Sequence, residues 1–361
     1  MLAQGTVEAF RLQAEFCAKM GSPLYGELLA RAADDIERGG PVAQVLDGWT
    51  GNPIPDALVL RLAGAVHRMV LDGAAPELAR YYPSVGGVPA WPDAWEAFRR
   101  VVEHDAATLR PALDRHVQTN EVRRSAALLC GFLTAAAAQR LPLRVLEIGT
   151  SAGLNLSWDR YRYEVTAIDA PSTVPGRRVW GAASAPVTIR TGFEGPLDVF
   201  AGRAAVAERA GCDVAPVDVG DPAQVHVLES FVWPDQLERL AQLRAAIALA
   251  QRARPPLARR GAADWLAEQL AERRDGLATV VFHSIMWWYL SEDERTRVTD
   301  TIDAAGARAD AGAPLAWLRL EMMAAIEPDL RLTLWPGGGE SLLGRADAHG
   351  RFVRWGQPSA A

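Results

Sequence analysis

The sequence has few of the residues that mark secreted, metal-binding or membrane-spanning proteins. Its three cysteines, Cys17, Cys130 and Cys212, lie far apart among 361 residues and form neither a disulfide framework nor a zinc-ligand spacing. No run of about 18 apolar residues occurs, and the N-terminus lacks a basic region followed by an apolar core. We therefore expect a cytoplasmic protein without a membrane association and without a bound metal.

The chain has little positive charge, which argues against a nucleic acid as its main partner. The chain carries 38 Lys and Arg against 44 Asp and Glu, a net charge of -6, and Lys19 is its single lysine. Phosphate backbones are bound by clustered basic side chains. We expect the main partner to be a small molecule rather than a nucleic acid.

The periodicity of apolar residues changes near Leu143. Before it, helical spacing with Gly/Pro breakers predicts an N-terminal helical cap domain over residues 1–140. After it, short apolar runs alternate with helical stretches, which predicts βαβ units and a parallel sheet over 141–361. Strands are predicted at 143–149, 205–214, 256–260, 279–282 and 315–320, with a final pair at 330–335 and 351–355. Helices are predicted at 236–252, 264–273 and 293–304, with a further one starting at Leu154.

The sharpest local signal is the glycine loop Glu147–Gly153, with the sequence EIGTSAG. Such a loop lets a ligand approach the backbone closely and places N–H groups beside it. The acid that precedes Gly149 suits a ligand with an ammonium group, whereas it would repel a dinucleotide pyrophosphate. The loop therefore favours S-adenosylmethionine (SAM) over NAD.

A second interpretation comes from the same residues, because Gly149 to Gly153 also reads G-x-S-x-G. In α/β-hydrolases this is the nucleophile elbow, which would make Ser151 the nucleophile and bring in Asp347 and His349. A hydrolase needs several strands upstream of the elbow, and the upstream segment is predicted to be helical. A serine hydrolase and a purely structural turn are kept as alternatives.

The chain resembles an uncharacterised bacterial domain-of-unknown-function family related to class I SAM-dependent methyltransferases. The resemblance spans nearly the whole chain and is carried by residues 146–156, 159–163, 118–121 with Arg124 and Ser125, 233–236 with Glu238 and Arg239, and 283–284 with Tyr289. It implies a Rossmann-like α/β fold: a seven-stranded, mostly parallel sheet with a C-terminal antiparallel strand, preceded by a helical domain. The implied activity is methyl transfer from SAM to a small acceptor; a non-catalytic SAM- or nucleotide-binding protein is the alternative.

Methyltransferases usually place an acid at the end of the second strand, where it binds the ribose hydroxyls. Asp169 has the more ordinary distance from the glycine loop, whereas Asp213 has the better context, an apolar strand followed by a proline turn. We prefer Asp213, which makes residues 160–200 an inserted excursion. Such families read Gly-Asp-Ala after the third strand, where this chain reads Gly-Ala-Ala-Asp from Gly261 to Asp264, so the adenine-binding acid either has moved to Asp264 or is missing.

The remaining candidates lie at the ends of predicted elements. His283 follows an apolar strand that opens toward the ligand edge, and could act as a general base. Arg124 would supply a guanidinium, which is the natural partner of the SAM carboxylate. The predicted cofactor residues are Glu147, Gly149, Ser151, Gly153, Asn155, Asp213, Asp264 and Ser284. The predicted substrate or cap residues are Gln118, Asn120, Glu121, Arg124 and Tyr289.

Overall fold

The computed structural model describes residues 2, 4–115, 117–168, 176–322 and 327–356. Its α-helices are α1 (Thr6–Lys19), α2 (Pro23–Glu37), α3 (Pro41–Leu46), α4 (Leu58–Leu71), α5 (Pro76–Ala79), α6 (Asp93–His104), α7 (Ala106–Ala112), α8 (Ser125–Gln139), α9 (Pro222–Ser230), α10 (Leu237–Ala253), α11 (Ala262–Gln269) and α12 (Glu292–Gly306). No helix in this described part has the length and apolar character needed to cross a bilayer.

The chain divides into two compact units. Unit 1 comprises Met1–Thr119 and Gly220–Arg244, and unit 2 comprises Asn120–Val219 and Ala245–Ala361. The first boundary lies about twenty residues before the expected division at residue 140, because α8 packs against strands of the unit 2 sheet. The segment with α9 belongs to unit 1 because α9 packs against α4.

Unit 1 is helical in its described residues. Pro23 opens α2 at a position where its missing N–H is not needed, and Ser22 caps the helix. The start of α2 also contacts the segment before α10, since Asp235 accepts hydrogen bonds from the Ser22 hydroxyl and from the Leu24 N–H. The stretch Trp233–Gln236 therefore leads into α10 and also completes the α2 N-terminus.

Unit 2 is built on one mixed sheet with eleven strands among the described residues. The strands are β1 (Leu143–Ile148), β2 (Arg162–Ala167), β3 (Arg177–Trp180), β4 (Thr188–Glu194), β5 (Val206–Asp213), β6 (Leu257–Arg259), β7 (Ala278–Ser284), β8 (Leu315–Glu321), β9 (Asp329–Trp335), β10 (Gly339–Ala346) and β11 (Phe352–Trp355). Their spatial order is β3-β2-β4-β11-β10-β9-β8-β7-β1-β5-β6.

Five adjacent strands, β6-β5-β1-β7-β8, are mutually parallel. Numbered by their place in the chain, they lie in the order 3-2-1-4-5 of a doubly wound sheet, in which the direction of winding reverses between β1 and β7. All six residues of β1 are buried, as expected for a strand covered on both faces. Ligands of such sheets bind at the carboxyl ends of the strands beside this switch point.

The structure of unit 2 differs from the predicted fold in three details. It has eleven strands rather than seven, because β2–β4 and β9–β11 extend it beyond β8. The two final strands predicted as a pair, β9 and β11, each pair instead with β10, which lies between them. The helix expected from Leu154 is only the short 3-10 helix Asn155–Arg160.

The mixed α/β architecture and the position of the inserted excursion agree with expectation. Within residues 160–200, β2, β3 and β4 lie at the far edge of the sheet, away from β1. The strand that pairs beside β1 is β5, which ends at Asp213. The antiparallel strand next to the parallel set is β9.

His67 makes unit 1 sensitive to acid. Its ring lies within hydrogen-bond distance of the Ser230 carbonyl and the Ser84 hydroxyl, and burial lowers its pKa to about 4. Because an unfolded histidine titrates near 6.5, the unfolded state binds the extra proton between about pH 6.5 and pH 4, so stability falls across this window by up to about 1.4 kcal/mol per pH unit.

Urea unfolding of His67→Gln between pH 4 and 7 is expected to show a shallower loss of stability with acid than the wild type. Exposed His104, at the end of α6, provides the matched control His104→Gln, which should keep the wild-type slope. Equal slopes for the wild type and His67→Gln would contradict this assignment.

Candidate functional site

The glycine loop turns sharply at the carboxyl end of β1. Gly149, Ser151 and Gly153 have φ angles of 64°, 53° and 69°, in the left-handed region that favours glycine. A side chain at Gly149 would also approach within 2.8 Å of the Met286 side chain, which lies against the loop. Glycine is therefore required at this position for both backbone and space.

Three backbone N–H groups of this loop, and that of Leu154 directly after it, are bonded within the protein. Thr150 N–H donates to the Cys212 carbonyl (3.0 Å), Gly153 N–H to the Thr150 carbonyl (2.8 Å) and Leu154 N–H to the Asn120 side-chain oxygen (3.1 Å). Ser151 N–H donates to the Asp213 carboxylate at 2.9 Å. A phosphate cradle presents such groups to its ligand, so this loop is poorly suited to a pyrophosphate.

Glu147 lies buried beneath the loop. Its carboxyl accepts a hydrogen bond from the Thr150 hydroxyl at 2.5 Å. Burial raises its pKa to about 8, and the neighbouring Asp213 charge acts in the same direction. The acid singled out in the sequence is thus largely protonated at neutral pH.

Asp213 joins the end of β5 to the glycine loop. One carboxylate oxygen accepts from Ser151 N–H and the other from Ala215 N–H, both at 2.9 Å. Each oxygen retains lone pairs for a further donor. Asp169, the competing candidate, lies outside the described residues.

Residues from the start of the α8 segment lie beside the loop exit. Asn120 binds Leu154 N–H, and the Asn155 side-chain N–H lies 3.4 Å from the Glu121 carbonyl. The Asn155 side-chain oxygen is buried and, among the described residues, has no hydrogen-bond partner. Gln118 belongs to unit 1, on the other side of the unit boundary.

Arg124 ties two turns of unit 2 together. Its guanidinium donates to the Ala348 carbonyl at 3.0 Å and to the Ser284 carbonyl at 3.3 Å. Ser284 ends β7, so this contact fixes the chain where β7 reaches the ligand edge. The predicted bond from Arg124 to a cofactor carboxylate stays a prediction.

His283 is fully buried and is bonded at both ring nitrogens. The indole N–H of Trp317, which can only donate, points at Nε2 (3.1 Å), so Nδ1 carries the proton and donates to Glu321 at 2.7 Å. Its ring also stacks on Trp287 with centroids 5.0 Å apart. This geometry is that of a residue that orients Glu321, and it disfavours the expected role as general base.

Glu321 and Arg295 hold the loop after β7, and neither was expected from the sequence. The Glu321 carboxylate accepts from the N–H groups of Met286 (3.1 Å) and Trp287 (3.3 Å), while Arg295 donates to the carbonyls of Trp287 and Trp288. Within this loop Ile285 has a φ of 51°, a strained conformation for a β-branched residue that costs about 1–3 kcal/mol. Only the position of Glu321, an acid ending an apolar strand, offered a signal in the sequence.

Two further predicted site residues, Asp264 and Tyr289, lie exposed on the surface. Asp264 lies exposed in the first turn of α11 and pairs with Arg297 of α12, so it belongs to a surface ion pair rather than to the hydrogen-bond network of the loop. Tyr289 is exposed at the end of the loop after β7, next to Trp288.

No group of three or more His, Cys, Asp and Glu side chains could hold a metal ion within the part of the chain that the structure describes. The nucleophile-elbow interpretation also lacks its surroundings, since no strand precedes β1 among the described residues. Ser151 is buried and is followed by a 3-10 helix of six residues, where a hydrolase has a full helix.

Comparison with protein families gives one match. The model of DUF2332, an uncharacterized protein conserved in bacteria, matches residues 7–355. The chain belongs to this family. Among curated proteins and solved structures, none matches it significantly. The predicted family is therefore confirmed at the level of an uncharacterised bacterial family, and its relation to class I methyltransferases stays a prediction.

The raised pKa of Glu147 predicts how stability changes with pH. The folded state holds a proton that the unfolded chain releases near pH 4.5, so Glu147 contributes stability below this value that is lost as pH rises to about 8. Each pH unit in this window weakens folding by up to about 1.4 kcal/mol.

Glu147→Gln keeps an acceptor for Thr150 and cannot titrate, so its free energy of unfolding should fall less than that of the wild type between pH 5 and pH 8. Urea unfolding at the two pH values measures the difference. Glu292→Gln, at an exposed position in the first turn of α12, should fall as the wild type does. A wild-type decline in Glu147→Gln would refute the buried, protonated acid.

Proposed function

We propose that unit 2 binds SAM at the glycine loop and that the protein transfers its methyl group to a small-molecule acceptor. The observation that supports this proposal best is that the N–H groups of Thr150, Ser151, Gly153 and Leu154 are bonded within the protein, with the Asp213 carboxylate beside them. Such an edge suits a ligand whose charges are positive and disfavours an anionic pyrophosphate.

The sheet topology supports the same conclusion. The glycine loop follows β1 at the switch point of the 3-2-1-4-5 set, where doubly wound sheets bind their ligands. Asp213 ends the adjacent strand β5, the position from which an acid reaches a ribose. Fold alone does not determine function, so the proposal rests on these residues together.

The residues present fit SAM in two respects. The Asn155 side-chain oxygen, which has no hydrogen-bond partner in the described part of the chain, suits an ammonium donor, and the remaining lone pairs of Asp213 suit ribose hydroxyls.

SAM, when bound, supplies an electrophilic methyl group on a sulfonium. The chain's residues would then act by position: Asp213 and Asn155 orient the cofactor, and the loop after β7 borders the acceptor side. His283 receives no proton-transfer role, because its ring is buried and both nitrogens are bonded.

Isothermal titration with S-adenosylhomocysteine (SAH) tests the proposal. Wild-type protein should bind SAH more tightly than NAD or ATP. Asp213→Asn should weaken binding at least about tenfold, since a hydrogen bond to a charged group contributes about 1.5–3 kcal/mol. Asp303→Asn makes the same charge change on an exposed position of α12 and should bind as the wild type does.

Thermal unfolding of each variant separates a lost contact from a lost fold. Tighter wild-type binding of NAD than of SAH would refute the cofactor assignment. Consumption of SAM with a supplied acceptor extract would then separate a transferase from a non-catalytic SAM-binding protein, because only the transferase releases SAH.

Ser151 is expected not to act as a nucleophile. A fluorophosphonate probe should leave the wild-type protein unlabelled, because Ser151 is buried and its backbone is held by Asp213. Intact-protein mass spectrometry measures the labelling, with Ser151→Ala as the matched control. Stoichiometric labelling that disappears in Ser151→Ala would establish the hydrolase alternative.

A further inference from the structure

The loop Ile285–Tyr289 presents two aromatic side chains at the carboxyl end of β7. Trp288 and Tyr289 are 50% and 53% exposed, and their rings meet edge to face with centroids 5.7 Å apart. Large aromatic side chains are usually buried in a soluble domain. Here they stand together beside a candidate ligand site.

The backbone that carries these rings is fixed from both sides. Glu321, oriented by His283, accepts from the N–H groups of Met286 and Trp287, and Arg295 donates to the carbonyls of Trp287 and Trp288. A strained residue, Ile285, is kept in this loop although it favours other conformations. A loop held so firmly against strain is preorganised for a ligand.

The loop Ile285–Tyr289 packs against the glycine loop on the side of β7. The Met286 side chain contacts the backbone at Gly149. In the sheet, β5 and β7 flank β1 on opposite sides. If the ribose is bound by Asp213 at the end of β5, the space beside β7 is left for the other reactant.

We propose that Trp288, with Tyr289 at its edge, is a platform on which the methyl acceptor stacks a planar ring. The inference deepens the proposed function and rests on it for the ligand's identity as an acceptor. Indole and phenol faces bind flat, weakly polar rings by stacking. The acceptor class is therefore an aromatic or heteroaromatic small molecule rather than a saturated sugar or an aliphatic amine.

Saturation-transfer NMR titrations on the full chain test this, with and without SAH. The probes are catechol, indole and nicotinamide, and cyclohexane-1,2-diol is the saturated match to catechol. Wild-type protein should bind the planar probes and not the saturated diol. Trp288→Ala should weaken planar-probe binding about fivefold or more, and Trp288→Phe should restore most of it.

The matched control is Trp91→Ala, which removes another exposed tryptophan, on a unit 1 loop, and should leave probe binding unchanged. SAH affinity should stay within about twofold of the wild type in all three variants. Equal planar-probe binding by the wild type and Trp288→Ala, or no planar binding at all, would overturn the platform. A large loss of SAH affinity in Trp288→Ala would also overturn it, since the ring would then serve the cofactor.

Failure of the proposed function has a different signature. If wild-type protein binds the planar probes through Trp288 but does not bind SAH, the SAM assignment fails while the ring-binding surface stands. If SAH binds and the probes do not, the SAM assignment stands and the platform is wrong.

Discussion

The parallel pairing of β1 between β5 and β7 is the constraint on which the candidate site depends. It buries every residue of β1, so the chain leaves the sheet at Gly149 with little freedom and must turn at once. It also places the end of β5 and the loop after β7 on either side of that turn. Each later feature of the site, from the buried acid to the aromatic loop, derives its position from this pairing.

Three acids at strand ends share one structural task at this edge. Glu147 of β1 binds the Thr150 hydroxyl, Asp213 of β5 binds the N–H of Ser151, and Glu321 of β8 binds the N–H groups of Met286 and Trp287. A carboxylate that accepts backbone N–H groups stabilises a turn that has no regular secondary structure. Under the proposed function, Asp213 would add a role in ligand binding to this structural one.

The sequence was sufficient for the local pattern and insufficient for its long-range pairing. Strand β1, the glycine loop and the alternation of strands with helices follow from apolar runs and glycine positions, and the structure contains them. The far edge does not follow, because β4 pairs with β2 on one side and with β11 on the other, and such register is set by contacts between distant segments. His283 was expected to face a ligand because it ends an apolar strand; that Trp317 and Glu321 would occupy both its nitrogens could not be read from spacing.

The short 3-10 helix after the glycine loop affects which ligand charge this edge of the sheet can attract. In a dinucleotide site, a long helix directs its N-terminal N–H groups and dipole at the pyrophosphate. Here the 3-10 helix Asn155–Arg160 has only six residues and is kinked at Ser157, and Leu154 N–H is already bonded to Asn120. Loss of the helix removes the main electrostatic attraction for phosphate, while the neighbouring carboxyl groups remain. Under the proposed function, this loop would therefore suit a cationic or neutral ligand better than an anionic one.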